Sequence, residues 1–104
     1  MSHRVAFVWD DALRHYDFGP GHPLAPVRVQ LAYRLSRDFG LLDDPNLTMV
    51  GPAALPEGLL HSVHDADFID AVKKELVGDY GLGTDDVPTF ADMHLHSERV
   101  CAAS

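Results

Sequence analysis

At 104 residues, 46% of them hydrophobic, the chain has the length of one domain at most and the composition of an ordinary globular protein. Eight basic against sixteen acidic residues leave a net charge of −8 and a pI near 5.1. Such a chain repels phosphate backbones and anionic lipid, which excludes nucleic acid and membrane surfaces as partners. The single cysteine, Cys101, excludes an intramolecular disulfide and fits a reducing compartment. The stretch from Met1 to Val5 leads into an apolar run too short for a signal peptide, and no run approaches the ~20 apolar residues of a membrane-spanning helix, so a cytoplasmic protein is expected.

In chain order, Val5 to Trp9 is a continuous apolar, β-branched and aromatic run ended by Asp10 and Asp11, the pattern of a buried strand in a parallel sheet. Asp11 to His15 can form a helical turn. From Pro26, residues Val27, Leu31, Leu35 and Phe39, with Ala32 alongside, mark one apolar face of a helix that Gly40 stops. Leu41 to Asn46 is a short connection, and Leu47 to Val50 a second strand between Pro45-Asn46 and Gly51-Pro52. Gly51 to Gly58 reads as a loop. Leu59, Leu60 and Val63 form a brief helix leading to His64.

Asp65 is placed to cap the next helix, whose apolar stripe is Phe68, Ile69, Val72 and Leu76, with Lys73 and Lys74 at the end that suits cations. Gly78 to Val87 is a loop, and Pro88 opens a last helix with Phe90, Met93, Ser97, Val100 and Cys101 on one face. That helix meets no stop signal before Ser104. Two strands and four helical segments leave sheet edges and faces uncovered, so the pattern reads as the opening third of a larger α/β domain, with poor stability expected of it alone.

The segment from Tyr16 to Arg28 contains three prolines and two glycines ahead of the first long helix. Prolines fix φ, Gly19 and Gly21 admit turn geometries closed to other residues, and Pro26 suits a helix start, so Arg28 should ride on the first turn. This segment, Tyr-Asp-Phe-Gly-Pro-Gly-His-Pro-Leu-Ala-Pro-Val-Arg, resembles the N-terminal signature of the arginase/deacetylase superfamily. It is most similar to that of the bacterial acetoin-utilisation (AcuC-type) deacetylases and class I histone deacetylases. Two later segments agree in order and spacing. His64-Asp65-Ala66-Asp67-Phe68-Ile69 resembles the family's His-Asp/Ser-x-x-Tyr/Phe-Ile/Val segment, and Gly81 to Phe90 resembles its Gly-x-x-Asp-x-Pro-x-Phe loop.

The resemblance implies a three-layer α/β/α arginase/deacetylase fold with a mostly parallel sheet, incomplete here. Residues 1–104 would be the N-terminal portion of a single histone deacetylase-like domain, truncated before the metal site. It implies hydrolysis of an N-acetyl amide, on an acetyl-lysine protein or a small acetylated amine, by a zinc enzyme. The family's zinc ligands, an Asp-x-His pair and a further aspartate, and its His-His acid–base pair would all follow Ser104. No catalytic residue and no zinc ligand is therefore matched in this chain, and the fragment is expected to be inactive.

Among residues that are matched, Asp86 corresponds to the rim aspartate that accepts substrate backbone N–H groups, a task that suits a charge-assisted acceptor; its bland alternative is a cap for a helix starting at Pro88. Arg28 corresponds to the arginine of an acetate channel, where a guanidinium fork can hold a carboxylate; the alternative is a surface ion pair. Tyr16, Phe18 and His22 would line the neighbouring wall, or only pack and brace the loop, and Gly83 and Thr84 would shape the rim. Ala25 replaces the lysine with which eukaryotic relatives bind an inositol phosphate shared with corepressors, so neither partner is expected, and the residue at Val87 also favours the bacterial branch.

Other side chains carry weaker chemistry. His94 and His96 lie two apart on a helix and point to different faces, while His61 and His64 could share one, with Asp65 or Asp67 near. Neither pair is read as a metal site: His94 and His96 read as exposed helical histidines, the resemblance gives His64 a structural place at a helix start, and Cys101 reads as core. A different class of function stays open at this point: a non-catalytic interaction module pairing through an open sheet edge.

Overall fold

The structure, a computed structural model, describes residues 3–56 and 58–104. Met1 and Ser2, at the start of the stretch read for a leader, and Glu57, in the loop expected over 51–58, lie outside the described residues. The chain runs through β1 (Val5–Val8), a 3-10 turn (Asp11–His15), α1 (Val27–Asp38), a second 3-10 turn (Leu41–Asp43) and β2 (Leu47–Val50). A third 3-10 turn (Leu60–Ser62), α2 (Ala66–Lys73) and α3 (Met93–Ala103) follow.

β1 and β2 pair in parallel, Val5 opposite Leu47 through Val8 opposite Val50. The amides of Val5 and Trp9 extend the ladder at both ends, donating to the carbonyls of Asn46 and Val50 at 2.9 Å. Parallel strands need a long crossover, and α1 supplies it, so the α/β class is realised as one βαβ unit. Asp10 turns the chain out of β1 by accepting the Ala12 N–H on its carboxylate at 2.8 Å. Gly40, at φ 73°, ends α1 with its N–H on the Arg37 carbonyl, as its position predicts.

The face of α1 that meets the sheet is not the predicted one. Tyr33 stacks on Trp9, with centroids 4.5 Å apart and planes 8° from parallel, and reaches Phe7 at 6.3 Å. That contact sets Val29, Ala32 and Ser36 along an open cleft beside the strand, with Val29 and Ala32 still exposed. Val27, Leu31, Leu35 and Phe39 consequently point to solvent, Leu35 and Phe39 at 58% and 73% exposure. The fourfold spacing correctly marks an apolar stripe; the aromatic stack, which spacing does not encode, decides which side docks.

The core lies instead between α2, α3 and the loop joining them. Ala71, Leu82 and Met93 are buried together, with Phe68, Val72 and Phe90 packed against them, and Ile69 is buried on the same helix as Ala71. α2 stops before the expected stripe residue Leu76. Glu75 takes a left-handed conformation at φ 54°, donates to the Val72 carbonyl, and lets Leu76 donate to the Ala71 carbonyl at 3.1 Å. This pairing of a 5→2 with a 6→1 bond closes the helix end with a glutamate where glycine is usual. Asp65 stands at the expected cap position in extended geometry, but its side chain makes no cap bond.

Two further expectations are corrected. The last helix begins at Met93 rather than Pro88, because Asp92 sits in the left-handed region at φ 58° and helical bonding can start only beyond it. Cys101 is exposed rather than core. An eight-residue α2 spans about 12 Å at 1.5 Å per residue and is too short to cover the last turn of the eleven-residue α3.

Urea denaturation of variants tests this placement of the core. Met93→Ala should cost about 2 kcal/mol or more, as buried methionines do, whereas Leu35→Gln on the predicted stripe should stay within about 0.5 kcal/mol of the parent. Glu75→Gly should stabilise the chain by about 0.5–1 kcal/mol by relieving the left-handed residue, and a loss of stability there would contradict the helix ending described.

Candidate functional site

The segment from Tyr16 to Arg28 forms a tight, locally bonded loop. Asp17 accepts the Gly19 N–H on its carboxylate at 2.9 Å, Gly19 and Gly21 adopt φ of 105° and 83°, and the His22 N–H turns back to the Gly19 carbonyl. The turn sets three rings against a fourth from far along the chain. Tyr16, Phe18 and Phe90 meet edge to face, with centroids 5.2–5.5 Å apart and planes near 80°. These geometries let the positive edge of one ring face the negative face of another. His22 lies over Phe18 at 4.5 Å.

His22 also carries the polar tie of the site. Its Nδ1 accepts the Leu24 N–H at 3.1 Å, and its Nε2 lies 2.9 Å from the backbone carbonyl oxygen of Asp86. A ring nitrogen that accepts bears no proton, so the neutral imidazole is the Nε2–H tautomer and donates to Asp86. The loop bearing Asp86 is otherwise held by its own bonds. The Gly83 N–H donates to the Val87 carbonyl at 2.9 Å, and the Val87 N–H to Thr84 Oγ1 at 3.1 Å. Gly83 has φ 83°, and a Cβ there would run into the side chain of Val77, so glycine is required on both counts. Gly83 and Thr84 thus shape this loop.

The Asp86 carboxylate is exposed and has no hydrogen-bond or ion-pair partner among the described residues, and no helix starts at Pro88 for it to cap. Tyr16, Phe18, His22 and Asp86 are therefore brought together. Arg28 stands apart from them. Its amide opens the first turn of α1 by donating to the Ala25 carbonyl at 3.1 Å, while its exposed guanidinium contacts no partner among the described residues. Behind the aromatic wall lies a cavity of about 200 Å³, lined chiefly by apolar side chains that include Tyr16, Phe18, Phe68, Phe90 and Met93.

A second cluster had no signal in the sequence, because its members are separated by 81 positions. His15, on the turn after β1, meets His96 of α3 edge to face at 5.7 Å, and Phe90 stacks on the other side of His96 at 6.2 Å. Arg99 Nη1 lies 3.4 Å from His96 Nδ1, which must accept. Loss of solvation, then the Arg99 and His15 charges, push the His96 pKa down from its ordinary 6.5, with Asp92 opposing them.

The residues weighed as metal ligands do not converge. His94 points to Glu98 at 3.7 Å, away from His96, and His61 and His64 are both exposed, His64 lying against Phe68. Among the described residues no three metal-donor side chains come together. No helix in them is long and apolar enough to cross a membrane.

Comparison with known proteins adds relatives. The chain is 36% identical over 96 residues to the acetoin utilization protein AcuC of Bacillus subtilis, covering 85% of this chain and 24% of that protein. It is 28% identical over 107 aligned positions to AcuC of Staphylococcus aureus, covering 95% and 27%. It is 27% identical over 114 positions to histone deacetylase 2 of Oryza sativa subsp. japonica, covering all of this chain and 22% of that protein. The chain thus spans about a quarter of the length of the curated relatives it matches. No protein-family model and no solved structure matches it.

The His96 cluster makes a pH prediction whose sign follows from the lowered pKa. The fold favours the neutral ring, so the stability this group contributes is present above the ordinary histidine value and is lost as pH falls through its lowered midpoint. Proton NMR should place the His96 midpoint below 6.5, and His96→Gln should reduce the difference in stability between pH 8 and pH 5. A midpoint at or above 6.5 would contradict the cluster.

Proposed function

The chain belongs to the family of AcuC-type acetoin utilization proteins and histone deacetylases, and on that footing we propose that it forms the rim and inner-channel wall at the N-terminal part of a deacetylase domain. The domain would hydrolyse N-acetyl amides of acetyl-lysine or small acetylated amines. One observation carries this reading. Two loops 64 positions apart are joined by His22 and the Asp86 carbonyl, which ties the Asp86 loop to the aromatic wall through His22 and leaves the exposed Asp86 carboxylate without a partner among the described residues.

In this reading Asp86 accepts backbone or amide N–H groups of the substrate. An ionised carboxylate suits that role, since it can receive two donors and its bonds are stronger than neutral ones. Tyr16, Phe18 and His22 form the wall beside it. Arg28 stands apart from this wall and does not line the cavity behind it; its guanidinium, without a partner among the described residues, would hold a carboxylate product such as acetate only within the wider domain.

β1 and β2 would be two strands of a wider, mostly parallel sheet in a three-layer α/β/α domain. The exposure of Val5, Met49 and Val50 supports this, because parallel sheets are normally covered on both faces. Zinc, which the family implies, would polarise the acyl oxygen and activate water when bound. The described residues do not offer three converging donors, so they do not fit that metal, and no step of hydrolysis is assigned to them. The wall and rim would orient the acetylated substrate, and the segment alone would be inactive.

Grafting this chain in place of the matching stretch of Bacillus subtilis AcuC tests the reading. The hybrid should release acetate from an acetyl-lysine peptide, while the 104-residue chain alone should not. Asp86→Ala in the hybrid should lower kcat/KM about 10- to 100-fold, the effect of losing charge-assisted hydrogen bonds of about 1.5–3 kcal/mol. Turnover by the isolated chain, or an Asp86 variant as active as its parent, would overturn the proposal.

A further inference from the structure

We infer that His22 is the positioning residue for the rim aspartate, its neutral imidazole fixing the peptide of Asp86 so that the carboxylate is presented from a defined place. The inference rests on the substrate role proposed for Asp86 and adds to it the group that sets its location. Among the described residues, His22 provides the one hydrogen bond that reaches residues 83–88 from outside them. The bond falls on the backbone carbonyl, not on the carboxylate, so it orients Asp86 without occupying the group that would meet substrate.

Three contacts lock the imidazole itself. Leu24 N–H fixes the tautomer by donating to Nδ1, Phe18 lies under the ring at 4.5 Å, and the turn at Gly19 brings the residue to the loop. Donation to the Asp86 carbonyl also polarises the peptide that carries the Val87 N–H, strengthening the bond from that N–H to Thr84 Oγ1. One ring therefore anchors from outside a turn whose shape its own bonds hold. A phenyl group could replace its packing on Phe18 but not its donor, whereas glutamine can carry an N–H to nearly the place of Nε2.

Nitrogen NMR of the wild-type 104-residue chain provides a test that needs no variant. His22 should show a protonated Nε2 and an unprotonated Nδ1, with coupling from Nε2 across the hydrogen bond to the Asp86 carbonyl carbon. In His22→Phe, exchange of the Val87 amide should accelerate about tenfold, the size expected from loss of one hydrogen bond of ordinary net worth. In His22→Gln it should return to within about threefold of wild type.

A short peptide carrying one acetyl-lysine, titrated in parallel, should shift the Asp86 amide in wild type and bind about tenfold more weakly to His22→Phe. An Nδ1–H tautomer, or Val87 exchange that ignores the phenylalanine substitution, overturns the positioning role. A wild-type chain that shows the coupling and the exchange pattern but ignores the peptide supports the clamp and overturns the substrate role of Asp86, so the two failures are distinct.

Discussion

Two parallel strands cannot be joined by a tight turn, and neither face of the sheet they form is protected by the strands themselves. The first half of this chain is shaped by that constraint. α1 exists to carry the chain from the end of β1 back to the start of β2. Tyr33 on Trp9 fixes how the crossover lies on the sheet, and what the crossover leaves open follows from the same contact. The stripe of Val27, Leu31, Leu35 and Phe39 faces outward because the stack has already spent the other side of the helix on the strands. The second half obeys a different economy, with a small apolar core at α2 and α3 holding the glycine-rich loop between them.

The two halves meet at rings. Phe90 touches Tyr16 and Phe18 on one side and His96 on the other, and His96 in turn touches His15. The N-terminal loop is thereby seated on the start of α3 through aromatic edges, and on the preceding loop through one imidazole. Aromatic contacts of this kind set distance, while the hydrogen bond from His22 sets direction. Together they hold Asp86 by its backbone and leave its carboxylate without a partner among the described residues.

Much of this was legible in the sequence where a local rule governs. Strand limits, the Gly40 stop and the rigid 16–28 loop follow from β-branched runs, glycine and proline, whose effects depend on few neighbours. The family resemblance, spread over three segments in order, singled out Tyr16, Phe18, His22 and Asp86, which the structure brings together. Failures occurred where distant residues decide. Spacing cannot tell which side of α1 meets Trp9, and nothing in the one-dimensional pattern pairs His15 with His96. The end of α2 was hidden for another reason: Glu75 is a good helix former, and only the bonds around it show that it has left the helix. Asp92 conceals the start of α3 in the same manner.

The close approach of Val77 to Gly83 couples two sites that a residue-by-residue survey would treat as independent. Shortening the valine to alanine removes the closest contact but leaves its Cβ 3.0 Å from the added one, on a backbone that ordinary L side chains resist, so position 83 opens only to residues such as asparagine, and only in company with the smaller neighbour. Combinatorial libraries that randomise residues 83–88 while holding position 77 constant would therefore sample almost nothing but glycine at position 83 among folded members. Pairing the two codons would enlarge the accessible set of loop shapes without touching Asp86.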